Sequence, residues 1–272
     1  VDQRNKQLIK QLRREAKAEH RAKKALAPPT ADVPATNKIN CACVIHGNGY
    51  QWEYVDKLHK MLQRHLSREV LLHVYTEAER PVPAHMVKHV LTEWPGVSGP
   101  KKSWWYKIQL FNPNFYSGPL LYLDLDTVIV KNIDWITQLN PRHFWSIRDF
   151  RHIWRDSFTG INSSMMWWDT KEYAWVWTHF LSQNLAAVMK RFPGDQDFIS
   201  ATIGIQKRRF FELGRVKSWR WQCFDGGFNF KTHRANSPGA GTHIDPNCSV
   251  LVFHGHPKPH ETDDPTVRMH WT

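Results

Sequence analysis

Residues 120–132 read "LLYLDLDTVIVKN", from Leu120 to Asn132. Apart from Asp124 and Asp126, positions 120–130 hold residues suited to a strand covered on both faces. A carboxylate is rarely buried without a partner, and here two stand in the middle of an apolar run. In an extended segment residues i and i+2 project to the same side, so Asp124 and Asp126 are expected to point together where "PLLYL" ends. Neighbouring carboxylates repel, and desolvating each is costly unless a cation is present. An oxygen-rich pair of this kind suits Mg²⁺ or Mn²⁺, with positions left open for phosphate oxygens. The plainer reading is a pair that caps the next turn or bonds to nearby lysines.

The flanking sequence places this run in a larger pattern. In "KINCACVIHGNGY" an apolar run, Ile39 to Ile45, ends in Gly47, Asn48 and Gly49, as a strand entering a loop would. A helical stretch follows from Trp52 to Leu66, and "EVLLHVYTE" reads as a second strand. Residues 84–93 and 103–112 read as helical, with "WPGVSGPKK" between them. Strands alternating with helices predict an α/β sandwich around a mostly parallel central sheet. In such sheets ligands gather outside the carboxyl ends of the strands, where the aspartates lie.

Composition sets the outer bounds. A chain of 272 residues with 41% apolar content can bury a sizeable core. No apolar stretch reaches the roughly 18–20 residues that span a bilayer, and the basic start has no signal-peptide core, so a soluble, cytoplasmic protein is expected. Four cysteines, Cys41, Cys43, Cys223 and Cys248, fit neither a disulfide framework nor common zinc spacings and read as reduced and buried. The net charge of +12 is uneven: residues 1–27 carry nine Lys/Arg against three Asp/Glu, or +6, which leaves 12 − 6 = +6 for the rest. That balance suits a polyanionic partner, whether nucleotide, nucleic acid or acidic membrane surface. Residues 1–27 read as a basic helical arm with a narrow apolar stripe (Leu8, Ile9, Leu12, Ala16). Such an arm is either solvated or placed to meet nucleic acid, an anionic surface or another subunit. Residues 28–38 read as a linker, 39–261 as the compact domain and 262–272 as a C-terminal tail.

"YLDLDTVIVKNID" resembles the D-x-D segment of GT-A fold nucleotide-sugar glycosyltransferases. The closest likeness is to glycosyltransferase family 8, the glycogenin-like and galactosyltransferase-like enzymes. The resemblance implies a Rossmann-like single-domain α/β sandwich in which Asp124 and Asp126 hold Mn²⁺ or Mg²⁺ against the diphosphate of a nucleotide-sugar donor, commonly a UDP-sugar. Further segments extend it. Tyr50 in "HGNGY" matches an aromatic that lies against the nucleoside base, and Lys107 in "SWWYKIQLF" matches a basic residue facing the donor. Taken alone, Tyr50 is a loop or core residue and Lys107 a solvent-facing charge. "TGINSSMMWWD" implies that Asn162 bonds the donor sugar or the acceptor, although an Asn before a strand also serves a turn. "PGDQDFIS" places Asp195 on sugar hydroxyls and Gln196 near the anomeric carbon, at what also reads as a helix N-terminus. "VLVFHGHPKPHE" is similar to the family's His-x-x-Gly-x-x-Lys-Pro segment with a shorter loop. By that likeness His254, or His256 in its stead, completes the metal site, while Gly255 and Lys258 hold the diphosphate.

Family 8 enzymes retain anomeric configuration, and Gln196 in place of a carboxylate agrees with a site lacking a general base. An inverting enzyme would call on Asp195, Asp197 or Asp225. The segments "RDFRHIWRD", "WWDTKEYAWVW" and "KSWRWQCFDGGFNFKTHR" interleave aromatics with basic residues, which suits a saccharide acceptor and equally a modified base in DNA. A metal-dependent nuclease or phosphodiesterase is a reading of another class, and it requires further carboxylates around the pair. A non-catalytic nucleic-acid-binding protein accounts for the charge but not for the aspartates.

Overall fold

In the computed structural model of the chain, the described residues are 38–97, 102–224 and 241–272, with the backbone of strands β10 (Phe228–Asn229) and β11 (Arg234–Ala235). The basic arm, the linker up to residue 37 and Asp225 lie outside them. A seven-stranded sheet runs in the order β3 (Val87–Val90), β2 (Glu69–Thr76), β1 (Lys38–Val44), β4 (Pro119–Leu123), β7 (Ile161–Asp169), β6 (Phe144–Arg148), β8 (Arg208–Phe210). Within it only β7 runs antiparallel to its neighbours, so the sheet is mostly parallel. This is the architecture of a GT-A, Rossmann-like α/β sandwich.

Strand periodicity assigns the two faces. Cys41 and Cys43 of β1, with Leu72, Val74, Leu121 and Leu123, face helix α1 (Glu53–His65) and its Val55, Leu58, Met61 and Leu62. Ala42, Tyr75, Leu120 and Tyr122 face the other way, onto the 3-10 segment Ser103–Phe111, α2 (Ala174–Leu181) and α4 (Asp195–Lys207). Helix α3 (Leu185–Arg191) lies between the last two in sequence. Coverage on both sides explains why these strands read as unbroken apolar runs. All four cysteines are free and buried, as expected.

Three features depart from the sequence reading. Within the stretch 84–93, read as helical, Val87–Val90 form an edge strand parallel to β2. The run around the aspartates is not one strand: β4 stops at Leu123, and Asp124 to Asp126 form a turn into β5 (Thr127–Ile129). The expected tail, 262–272, includes α6 (Pro265–His270), whose Val267 is buried; Trp271 then meets Tyr54 of α1 at 5.1 Å between ring centroids.

A second, three-stranded sheet positions the C-terminal end of the site. In it β12 (Val250–Val252) pairs antiparallel with β5 and parallel with β9 (Val216–Ser218). Pairing of Val252 with Thr127, and Phe253 N–H donating to Asp126 O at 3.1 Å, brings the segment after β12 beside the aspartate turn. The short helix α5 (Trp219–Gln222) follows β9 and is capped by Ser218.

Candidate active site

A cavity of about 720 Å³ opens at the carboxyl ends of β1 and β4. Its wall includes Val44, His46, Tyr50, Tyr54, Trp104, Lys107, Asp124, Asp126, Gly255 and Lys258. Seven of the sequence-expected residues therefore meet in one place: Tyr50, Lys107, Asp124, Asp126, Gly255, Lys258 and His256, the alternative metal ligand. The loop that brings Tyr50 in turns at Gly47, whose φ of +66° is left-handed and suits glycine. Gly47 N–H donates to Glu77 Oε1 at 3.0 Å, and Arg80 Nη2 donates to Gly47 O at 2.7 Å, so a Glu77–Arg80 ion pair brackets the turn. Gly255 has φ +77°, and a Cβ there would come within 2.6 Å of Arg220 Nη1.

Each aspartate is held by a lysine. Lys107 Nζ lies 2.7 Å from Asp124 Oδ1, which also accepts a hydrogen bond from Tyr122 Oη at 2.6 Å. Lys107 further donates to Ser163 Oγ at 3.3 Å and lies 3.8 Å from Asp195 Oδ2, while Ser163 Oγ donates to Asp195 at 2.7 Å. Burial opposes the charge on Lys107, but Asp124 and Asp195 outweigh it and push its ammonium up to about 12. Asp126 Oδ2 accepts from Lys258 Nζ at 2.5 Å and from Tyr50 Oη at 2.7 Å. Burial, together with the like charge of Asp124, raises the Asp126 carboxyl against the pull of Lys258. Burial also raises Asp195, against Lys107 and Ser163.

The remaining expected residues lie elsewhere. Asn162 accepts Ser164 N–H at 3.1 Å and so serves the start of β7, outside the cavity wall. Asp195 begins α4 and reaches the cavity only through Lys107. Gln196 donates to Asp149 Oδ2 at 3.4 Å, and Asp149 is gripped by Arg151 at 3.0 and 2.8 Å. Asp197 lies 3.8 Å from the same Arg151. Asp149 and Ser163 are the residues that sequence reasoning missed. Asp149 stands one position before "FRHIW" in a segment noted only for its aromatics and bases, and Ser163 is one of the small residues after Asn162.

His254, the expected third metal ligand, does not join the aspartates. Its Nε2 pairs with Ser218 Oγ at 2.6 Å, and its ring stacks on Phe150 at 5.4 Å with Trp221 edge-on at 4.5 Å. Burial, then the Arg220 charge, lowers it to about 4, so it is a neutral imidazole packed in an aromatic slot. His256 is exposed and pairs with Glu261 at 2.8 Å. Among the described residues no three His, Cys, Asp or Glu side chains are grouped to hold a metal. What is present is a pair of carboxylates whose lysine ammoniums stand in for a cation. Two hard oxygen donors fit Mg²⁺ or Mn²⁺ that completes its shell with phosphate oxygens and water, without a histidine. A two-metal nuclease site is not supported: Asp195 is taken up by Lys107 and Ser163, and Glu261, which lines the cavity, by His256 and the Lys258 N–H.

No protein-family model matches the chain, and no curated protein matches it in sequence. Solved structures do match in fold. The glycosyltransferase GlyE of Streptococcus pneumoniae TIGR4 aligns with TM-score 0.54 at 14% identity, over 81% of this chain and 56% of GlyE. An active-site mutant of LgtC aligns with TM-score 0.55 at 11% identity, over 85% of this chain and 93% of LgtC. The galactosyltransferase LgtC in complex with donor and acceptor sugar analogs gives TM-score 0.53 at 12% identity, over 83% and 90%. This chain thus spans just over half the length of GlyE and most of that of LgtC. The likeness is one of fold, and the fold is that of the GT-A glycosyltransferases. Among the described residues no helix is long and apolar enough to cross a membrane.

Proposed function

We propose that the chain is a nucleotide-sugar glycosyltransferase, akin to family 8, that moves a hexose from a UDP-sugar to a hydroxyl of a saccharide with retention. The observation that carries this reading is the meeting of Tyr50, Asp124, Asp126, Lys107 and Lys258 in one cavity at the strand ends of a GT-A fold. Tyr50 offers a ring to the base, Lys258 an ammonium to the diphosphate, and Asp124 with Asp126 a seat for Mn²⁺ or Mg²⁺. When bound, the cation neutralises charge on the leaving diphosphate. Lys107 holds Asp124 in place and ties it to the start of α4, where Gln196 is set against Asp149.

Retention agrees with how the carboxylates around the start of α4 are held. Asp195 is tied up by Lys107 and Ser163, and Asp149 by Arg151, so neither is free to deprotonate an acceptor. Exposed aromatic faces favour a saccharide as acceptor: Trp104 on the cavity wall is 41% exposed and Trp154 is 44% exposed. Incubation with UDP-hexoses, Mn²⁺ and a panel of mono- and disaccharides tests the reading. A glycosylated product whose anomeric proton signal matches the donor's configuration is expected. Failure of every donor to release UDP, with or without acceptor, contradicts it.

A further inference from the structure

We propose that Lys258 is an internal counter-ion for Asp126 whose release makes metal binding depend on donor binding. The inference rests on the nucleotide-sugar reading above and concerns the order in which that site fills. Lys258 Nζ lies 2.5 Å from Asp126 Oδ2 and donates to Tyr50 Oη at 2.9 Å, while Tyr50 Oη donates to the same carboxylate oxygen at 2.7 Å. The three groups form a closed triangle, and each of them is needed by the donor complex: the ring for the base, the carboxylate for the cation, the ammonium for the diphosphate. The triangle is shielded, with the Asp126 side chain 8% exposed and that of Lys258 19%. Close to one buried carboxylate, a divalent cation and an ammonium compete and repel each other.

The two lysines differ in how they are held. Lys107 meets two carboxylates, Asp124 and Asp195, besides Ser163, whereas Lys258 meets one carboxylate, Asp126, besides Tyr50 Oη and, at 3.5 Å, Phe253 O. Lys258 has a backbone anchor independent of its ammonium, because its N–H donates to Glu261 Oε2 at 2.6 Å and Glu261 also holds His256. Its side chain can leave Asp126 while the loop keeps its shape. A metal arriving alone must expel the ammonium with nothing to receive it. A metal arriving with a diphosphate finds the ammonium a new anionic partner. Metal and nucleotide therefore strengthen each other's binding by the same factor, as linkage requires.

Mn²⁺ binding to the full chain, read by electron paramagnetic resonance of the free ion near neutral pH, tests this in wild type, Lys258→Met and Lys258→Arg, each with and without UDP. Without UDP, Lys258→Met binds Mn²⁺ at least about tenfold more tightly than wild type, and Lys258→Arg binds no more tightly; UDP then raises wild-type Mn²⁺ affinity by more than it raises that of Lys258→Met. Lys258→Gln, which removes the charge but keeps a donor for Asp126, carries the same expectation if the methionine variant does not fold. A folded Met or Gln variant that binds Mn²⁺ alone no better than wild type overturns the proposal. Failure of UDP to bind wild type in saturating Mn²⁺ counts against the nucleotide-sugar reading instead, and the metal-only comparison still decides the role of the lysine.

Discussion

Lys107 Nζ stands 2.7 Å from Asp124 Oδ1, a largely buried ion pair that links the 3-10 segment Ser103–Phe111 to the turn after β4. The same ammonium reaches toward Asp195, so one lysine neutralises two carboxylates from different parts of the chain. Lys107→Met leaves both without a counter-charge. A loss of about 3–5 kcal/mol is expected, as when one partner of a buried ion pair is removed. Urea unfolding checks it, and a loss below about 1 kcal/mol would show that the pair is solvated rather than buried.

Tyr50→Phe keeps the ring and removes the hydroxyl that bonds Asp126, so nucleotide affinity should change by less than about tenfold. Tyr50→Ala removes the ring as well. Its UDP affinity should fall by about 10- to 100-fold, the range of a lost base–aromatic stack. Calorimetry on both variants separates ring from hydroxyl, and equal losses would show that the hydroxyl carries the effect.

Asp149 receives Gln196 and Arg151, and none of the three lines the cavity beside the D-x-D turn. Asp149→Asn should leave donor KM within about twofold and lower kcat at least about tenfold, because it disturbs the positioning of Gln196 and not the nucleotide cavity. Steady-state kinetics with the donor varied decides this. A raised donor KM at constant kcat would place Asp149 in the donor site.

His73 and His89 stack with ring planes 7° apart, their Nδ1 and Nε2 2.8 Å from each other, and His73 Nε2 meets Asn40 Oδ1 at 3.0 Å. The bond between the two ring nitrogens needs one of them as acceptor, so the pair cannot hold with both rings protonated. Burial lowers both to about 4, with the neighbouring His89 adding to the effect at His73. The unfolded chain binds these protons below about pH 6.5 and the folded chain only near 4, so stability is constant above 6.5 and falls as pH drops through that window. Urea midpoints at neutral and mildly acid pH should differ by the equivalent of about 3 kcal/mol, and by less in His89→Phe. An unchanged pH dependence in the variant would assign the acid sensitivity to other groups.

The local pattern carried much of the fold. Ile39 to Ile45, the helix after Trp52 and "EVLLHVYT" were legible because both sheet faces are covered and the apolar runs are long. The segment 84–93 was not, since Met86, His89 and Val90 repeat at helical spacing and only parallel pairing with β2 makes Val87–Val90 a strand. The meeting of the aspartate pair with Gly255 and Lys258 was legible from short motifs. Asp149 and Ser163 could not, because their partners Gln196 and Asp195 lie 47 and 32 residues away and leave no local trace. The surroundings of His254 left no local trace either: Ser218, 36 residues earlier, pairs with the ring that the motif assigns to a metal. Bonding of the aspartates to lysines, the plainer sequence reading of the pair, is what the structure shows.

The central claim is tested most directly by calorimetric binding of UDP-glucose, UDP-galactose, UDP-N-acetylglucosamine and GDP-mannose, each with Mn²⁺, with Mg²⁺ and with EDTA, to wild type and Asp126→Ala. Binding of a UDP-sugar that requires the metal and disappears in Asp126→Ala is the result predicted. A folded wild-type chain that binds none of the four in the presence of either metal contradicts it.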